Sequence, residues 1–63
     1  MTPTQIVQKM KENGTFEHAL TAAENDIGGL VFIMNIAMGA PGGSTQKYGL
    51  IFEVMDELKA CAV

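Results

Sequence analysis

Leu30-Val31-Phe32-Ile33-Met34-Asn35-Ile36-Ala37-Met38 decides the fold. Wound at 3.6 residues per turn it is apolar nearly all round, with Asn35 as its one polar member. A helix without a polar face has to be buried on every side, and a chain of 63 residues is too short to surround one by itself. The same stretch is rich in strand formers, so a strand is the rival reading. Beyond the connection Gly39-Ala40-Pro41-Gly42-Gly43, the residues Tyr48, Leu50, Phe52 and Val54 alternate with Lys47, Gly49 and Glu53, which fits a β-hairpin flanked by helices. Two features favour helix. Gln46, Gly49, Glu53, Asp56 and Glu57 recur at the helical period, and Met, Ala and Glu are strong helix formers. The expected fold is all-α: a short N-terminal helix followed by an antiparallel helical hairpin, one small domain over residues 1–63, assembled as a homo-oligomer.

Upstream of the decisive stretch, Phe16, Leu20, Ala23, Ile27, Leu30 and Met34 recur at spacings of three or four and predict one long second helix, with Thr15 as its cap and Glu17 in its first turn. Gly28-Gly29 interrupts it at a cost of about 1 kcal/mol per glycine relative to alanine. A continuous but kinked helix is the expectation; a close helix–helix contact, or a break at which Asp26 caps a new helix, are the alternatives. The first helix is clearer. Thr2 caps, Pro3 suits the first helical position, and Gln5 closes a capping box. Ile6, Val7 and Met10 share a face, Lys9 and Lys11 sit in the last turn, and Asn13-Gly14 supplies the stop, giving a helix over about residues 3–13.

Downstream, Ser44 or Thr45 caps the third helix. Tyr48, Ile51, Phe52, Met55 and Leu58 fill its apolar side, and Lys59 lies three residues after Asp56, close enough to pair with it.

Composition narrows the function classes. Four lysines oppose seven carboxylates and there is no arginine, so the bidentate fork used on phosphate and guanine is missing and nucleic acid is not an expected partner. One cysteine, Cys61, and one histidine, His18, give neither an intrachain disulfide nor a structural zinc site. For a chain this small, oligomerisation is the remaining source of stability. The start Met1-Thr2-Pro3-Thr4 has no basic residue and does not read as a signal peptide. With a free thiol, the expected setting is reducing, intracellular and cytoplasmic. The apolar run Ile27–Ala40 is about fourteen residues, short of the roughly twenty that span a bilayer, so a membrane-associated peptide is the least favoured reading.

No catalytic set can be assembled. His18 lacks a positioned partner, Cys61 has only Lys59 near it, and Glu24-Asn25-Asp26 reads as a solvated turn rather than a metal site. The chain is therefore expected not to be an enzyme and to need no cofactor or metal. The stretch with most chemistry is Gly42, Gly43, Ser44, Thr45, Lys47 and Tyr48. Exposed backbone N–H groups at a helix start, with two hydroxyls and a lysine in the first turn, can hold an anion, and Tyr48 can stack on a ring. An ordinary turn and cap explains the same residues. The candidate oligomer interface is Leu30, Val31, Ile33, Met34, Ile36, Ile51 and Met55.

The leading functional expectation is a homo-oligomeric helical module that works through protein–protein contact, as an adaptor or inhibitor. The second is binding or sequestration of a small anion of nucleotide or cyclic-nucleotide type between subunits at Gly42–Lys47. The layout of a short first helix and a helical hairpin resembles that of some phage-encoded proteins that sequester cyclic-nucleotide signals. That resemblance is one of architecture, carries no motif residues, and implies only the second expectation.

Overall fold

The computed structural model describes residues 2–39 and 48–62. Among them are four helices and no strand: α1 (Pro3–Asn13), α2 (Phe16–Asn25), α3 (Ile27–Ala37) and α4 (Tyr48–Cys61). The all-α reading holds, and residues 30–37 and 48–55 are helical rather than a β-hairpin.

The first helix forms as its sequence dictates. Thr2 Oγ1 accepts from the Gln5 backbone N–H at 3.2 Å, and Gln5 Oε1 accepts from the Thr2 N–H at 2.9 Å. Two of the donors left over at a helix start are thereby satisfied reciprocally. At the other end Gly14 takes φ +76°, the left-handed conformation that costs a residue with a Cβ. Its N–H donates to Lys11 O at 3.3 Å, and the Thr15 N–H donates to Met10 O at 2.9 Å, the paired bonds of a Schellman stop. Thr15 was expected to cap α2 through its side chain. Its hydroxyl instead donates back to Met10 O at 3.3 Å and makes no cap bond to α2, so it serves the end of one helix rather than the start of the next.

The expected long second helix is broken. Asp26 sits at φ −153°, ψ 83°, outside the helical region, and ends α2 with an N–H bond to Ala22 O at 2.7 Å. Its carboxylate Oδ1 accepts from the Gly29 N–H at 3.0 Å, and its carbonyl accepts from the Leu30 N–H at 3.0 Å. Asp26 is thus the N-cap of a new helix. The glycines have a specific part in this. A Cβ at Gly29 would lie 2.7 Å from Asp26 Oδ2, whereas one at Gly28 would meet Asp26 Oδ1 at 3.5 Å, an ordinary contact. Gly29 is where the capping carboxylate needs room.

Breaking the helix resets the face that points inward. The stripe from Phe16 to Met34 does not run through: Ile27 is 41% exposed, while α2 buries Ala19, Ala22 and Ala23 with Phe16 and Leu20 packed against them. The core is Ile6, Val7 and Met10 of α1, those alanines, Leu30, Met34 and Ala37 of α3, and Ile51, Val54 and Leu58 of α4. Small residues on α2 let the neighbouring helices approach closely. Buried Asn35 does not orphan a polar group: among the described residues no buried side-chain nitrogen or oxygen lacks a partner.

Helix α1 packs against the other three, and most closely on α4, while α2 lies chiefly on α3. Helices α3 and α4 touch each other least. A simple hairpin of two long helices is therefore not what the described residues form. Both α3 and α4 pack instead against α1 and α2. The Cα radius of gyration, 10.1 Å, is close to the roughly 10.6 Å typical of a folded chain of this length. The chain closes a core of its own.

Candidate binding surface

That core covers only part of α3. Leu30, Met34, Asn35 and Ala37 point inward, and Val31 and Ile33 are half-buried. Phe32 is 65% exposed, and Ile36, one turn further on, is 41% exposed. Residues four apart share a helix face, so α3 presents a phenylalanine and an isoleucine side by side to solvent. Taking a phenylalanine as about 200 Å², Phe32 leaves on the order of 130 Å² in water, and covering it would contribute about 3 kcal/mol.

Beside Phe32 the outer surfaces of α2 and α3 meet in an open groove of about 570 Å³. Its apolar part is Phe32, Ile33, Ala22 and the bare backbone of Gly29; its polar part is Glu17, His18, Thr21, Asn25 and Asp26. Most of these polar groups are tied locally. The Thr21 hydroxyl donates to Glu17 O at 3.2 Å, the Asn25 amide donates to Thr21 O at 3.3 Å, and Asp26 caps α3. Glu17 projects from the exposed first turn of α2. Among the described residues the ion pair is Lys9–Glu12 on α1, at 3.4 Å, so neither groove carboxylate faces a lysine.

The sequence-derived interface set divides in two. Leu30, Met34 and Ile51 are buried in the chain's own core at 0%, 0% and 4% exposure; they hold the subunit together and have no surface to offer. Val31, Ile33, Ile36 and Met55 are partly or substantially exposed. Phe32 was not in that set, although it is the most exposed large apolar residue among those described. Periodicity cannot orient a helix that is apolar all round, and only the break at Asp26 fixes which side faces in. Phe52 shifts in the same way: expected on the apolar side of α4, it is 59% exposed, because the buried stripe runs through Ile51, Val54 and Leu58.

The candidate anion site at Gly42, Gly43, Ser44, Thr45 and Lys47 lies outside the described residues. So does the expected cap at Ser44 or Thr45, and of Tyr48 only the backbone, at the start of α4, is described. His18 lines the groove with Glu17 next to it in sequence. Cys61 is half-buried, and its thiol donates to Glu57 Oε2 at 3.7 Å. Among the described residues no three His, Cys, Asp or Glu side chains come together as a metal site, and no helix is long and apolar enough to cross a membrane. No protein-family model, curated protein or solved structure matches the chain.

Proposed function

We propose that the chain is a non-enzymatic helical module that self-associates and acts by binding protein through the outer side of α3. The observation that carries this reading is the pairing of Phe32 and Ile36 on one solvent-facing side of a helix whose opposite side already fills a complete core. Contiguous exposed apolar surface marks interaction sites, and here it is the neutral outer side of a helix, with no charged residue between Ile27 and Ala37. Two such surfaces meet without bringing like charges together, so a second copy of the chain is a natural occupant.

The test is size-exclusion chromatography with light scattering on the wild type and on Ile36→Asp. Ile36 lies outside the core cluster and is 41% exposed, so the variant should keep its helical circular dichroism. The expected result is a wild-type mass that is a whole multiple of 6.7 kDa and a shift of Ile36→Asp toward the monomer. A wild type that stays at monomer mass into the millimolar range would remove the self-association half of the proposal.

A further inference from the structure

We infer that the groove between α2 and α3 receives a cationic amphipathic segment of a partner protein, with an apolar side chain on Phe32 and Ile33 and a lysine or arginine against Glu17 and Asp26. The inference rests on the protein-binding reading above and names the partner's chemistry. The groove supplies both halves of the match: an apolar floor, and a rim with two carboxylates and no lysine, His18 being its one base. Helix-in-groove docking reads apolar anchors at helical spacing and uses flanking charge to choose the partner.

The described residues of a second copy do not supply that chemistry. Its exposed anchor on α4, Phe52, is followed by Glu53 and has Asp56 one turn on, which would set carboxylates against carboxylates. Of its described lysines, Lys9 pairs with Glu12 and Lys11 lies 5.3 Å over the Phe16 ring; Lys59 does not form the expected pair with Asp56 but shares the end of α4 with Asp56 and Glu57. None accompanies an exposed apolar side chain on a neutral or basic face. Phe32 belongs to both surfaces, so a segment seated in the groove competes with a second copy seated on α3.

The probe is a fluorescein-labelled, fourteen-residue amphipathic peptide of leucine and lysine, with a leucine–glutamate peptide of the same pattern as its counterpart. Binding to the full chain is read by anisotropy at 150 mM salt. The leucine–lysine peptide should bind saturably and the leucine–glutamate peptide should not. Thr21→Lys, which places a cation among the groove residues at an exposed helical position, should weaken binding at least tenfold. Glu17→Gln should weaken it several-fold, and Glu53→Gln on α4 should leave it unchanged. Absence of binding, or equal loss in Glu17→Gln and Glu53→Gln, would overturn the inference, since the latter indicates attraction to net charge alone. Mass measured on the same samples separates the two proposals. Monomeric Ile36→Asp that ignores the peptide overturns the groove assignment alone; a wild type that stays monomeric at every concentration and binds it overturns self-association alone.

Discussion

Alanine placed at the two adjacent glycines of α3 should have different effects. Both stand in the first turn of the helix, where replacing glycine by alanine ordinarily stabilises by about 0.5–1 kcal/mol. At Gly28 the new methyl would meet Asp26 Oδ1 at 3.5 Å, so the gain should be realised. At Gly29 it would sit 2.7 Å from Asp26 Oδ2 and 3.1 Å from Asp26 Cγ. The carboxylate must then shift, weakening its 3.0 Å bond from the Gly29 N–H at a cost of up to the whole cap. Loss of an N-cap costs about 1 kcal/mol, within a range of about 0.5–2. Gly29→Ala should accordingly fall between neutral and about 1 kcal/mol destabilised, leaving the two variants about 1 kcal/mol apart. For a chain of this size that is a gap of about 4–8 °C in Tm. Thermal unfolding followed by circular dichroism at one fixed protomer concentration measures it, because association makes Tm concentration-dependent. In an Asp26→Ala background there is no carboxylate to displace, and the gap should close. Equal Tm for Gly28→Ala and Gly29→Ala, or a gap that persists without Asp26, would refute the capping argument.

Other substitutions follow from the same geometry. Leu30→Ala, at a fully buried position, should cost about 2–5 kcal/mol in urea unfolding, whereas Phe52→Ser, at a position 59% exposed, gives up only about 80 Å² of buried surface and should cost about 1–2 kcal/mol. Thr2→Ala removes a reciprocal cap and should lower stability by about 0.5–2 kcal/mol, with Gln5→Ala reproducing part of the loss in the same assay. Gly14→Ala forces a Cβ into φ +76° and should destabilise by about 1–2 kcal/mol; Gly14→Asn should recover much of that loss. Lys9→Ala breaks an ion pair whose two side chains are each about half exposed, and should shift Tm by no more than the scatter expected for about 0.5 kcal/mol.

Local signals carried most of the first helix. Pro3, the Thr2–Gln5 box and Gly14 each act within one turn of themselves, and the helix runs over Pro3–Asn13 with Ile6, Val7 and Met10 inward, as their spacing predicts. The second and third helices were harder because two signals conflicted. The stripe from Phe16 to Met34 argued for continuity, and Asp26 followed by Gly28-Gly29 argued for a stop. What settles it is the cap itself: Asp26 leaves the helical region and its carboxylate takes the Gly29 N–H, lying where a Cβ on Gly29 would sit. Asp26 with glycine three positions later was the readable clue. The surface was less legible still. In α3 every direction is apolar, so no pattern distinguishes Met34, which is buried, from Phe32, which is not. The acid-rimmed groove joins Glu17 and His18 to Phe32 and Ile33 across the junction at Asp26, and the turn of the chain there is a tertiary property that residue spacing does not encode.

Whether Phe32 meets water in solution can be measured directly. With 4-fluorophenylalanine incorporated and the Phe32 resonance assigned by a Phe32→Leu variant, fluorine relaxation is followed as an inert paramagnetic cosolute is added to the wild type and to Ile36→Asp. The account predicts that Phe32 in the concentrated wild type is shielded from the cosolute, and that dilution or Ile36→Asp exposes it. Full accessibility of Phe32 at every concentration, equal in both proteins, would contradict it.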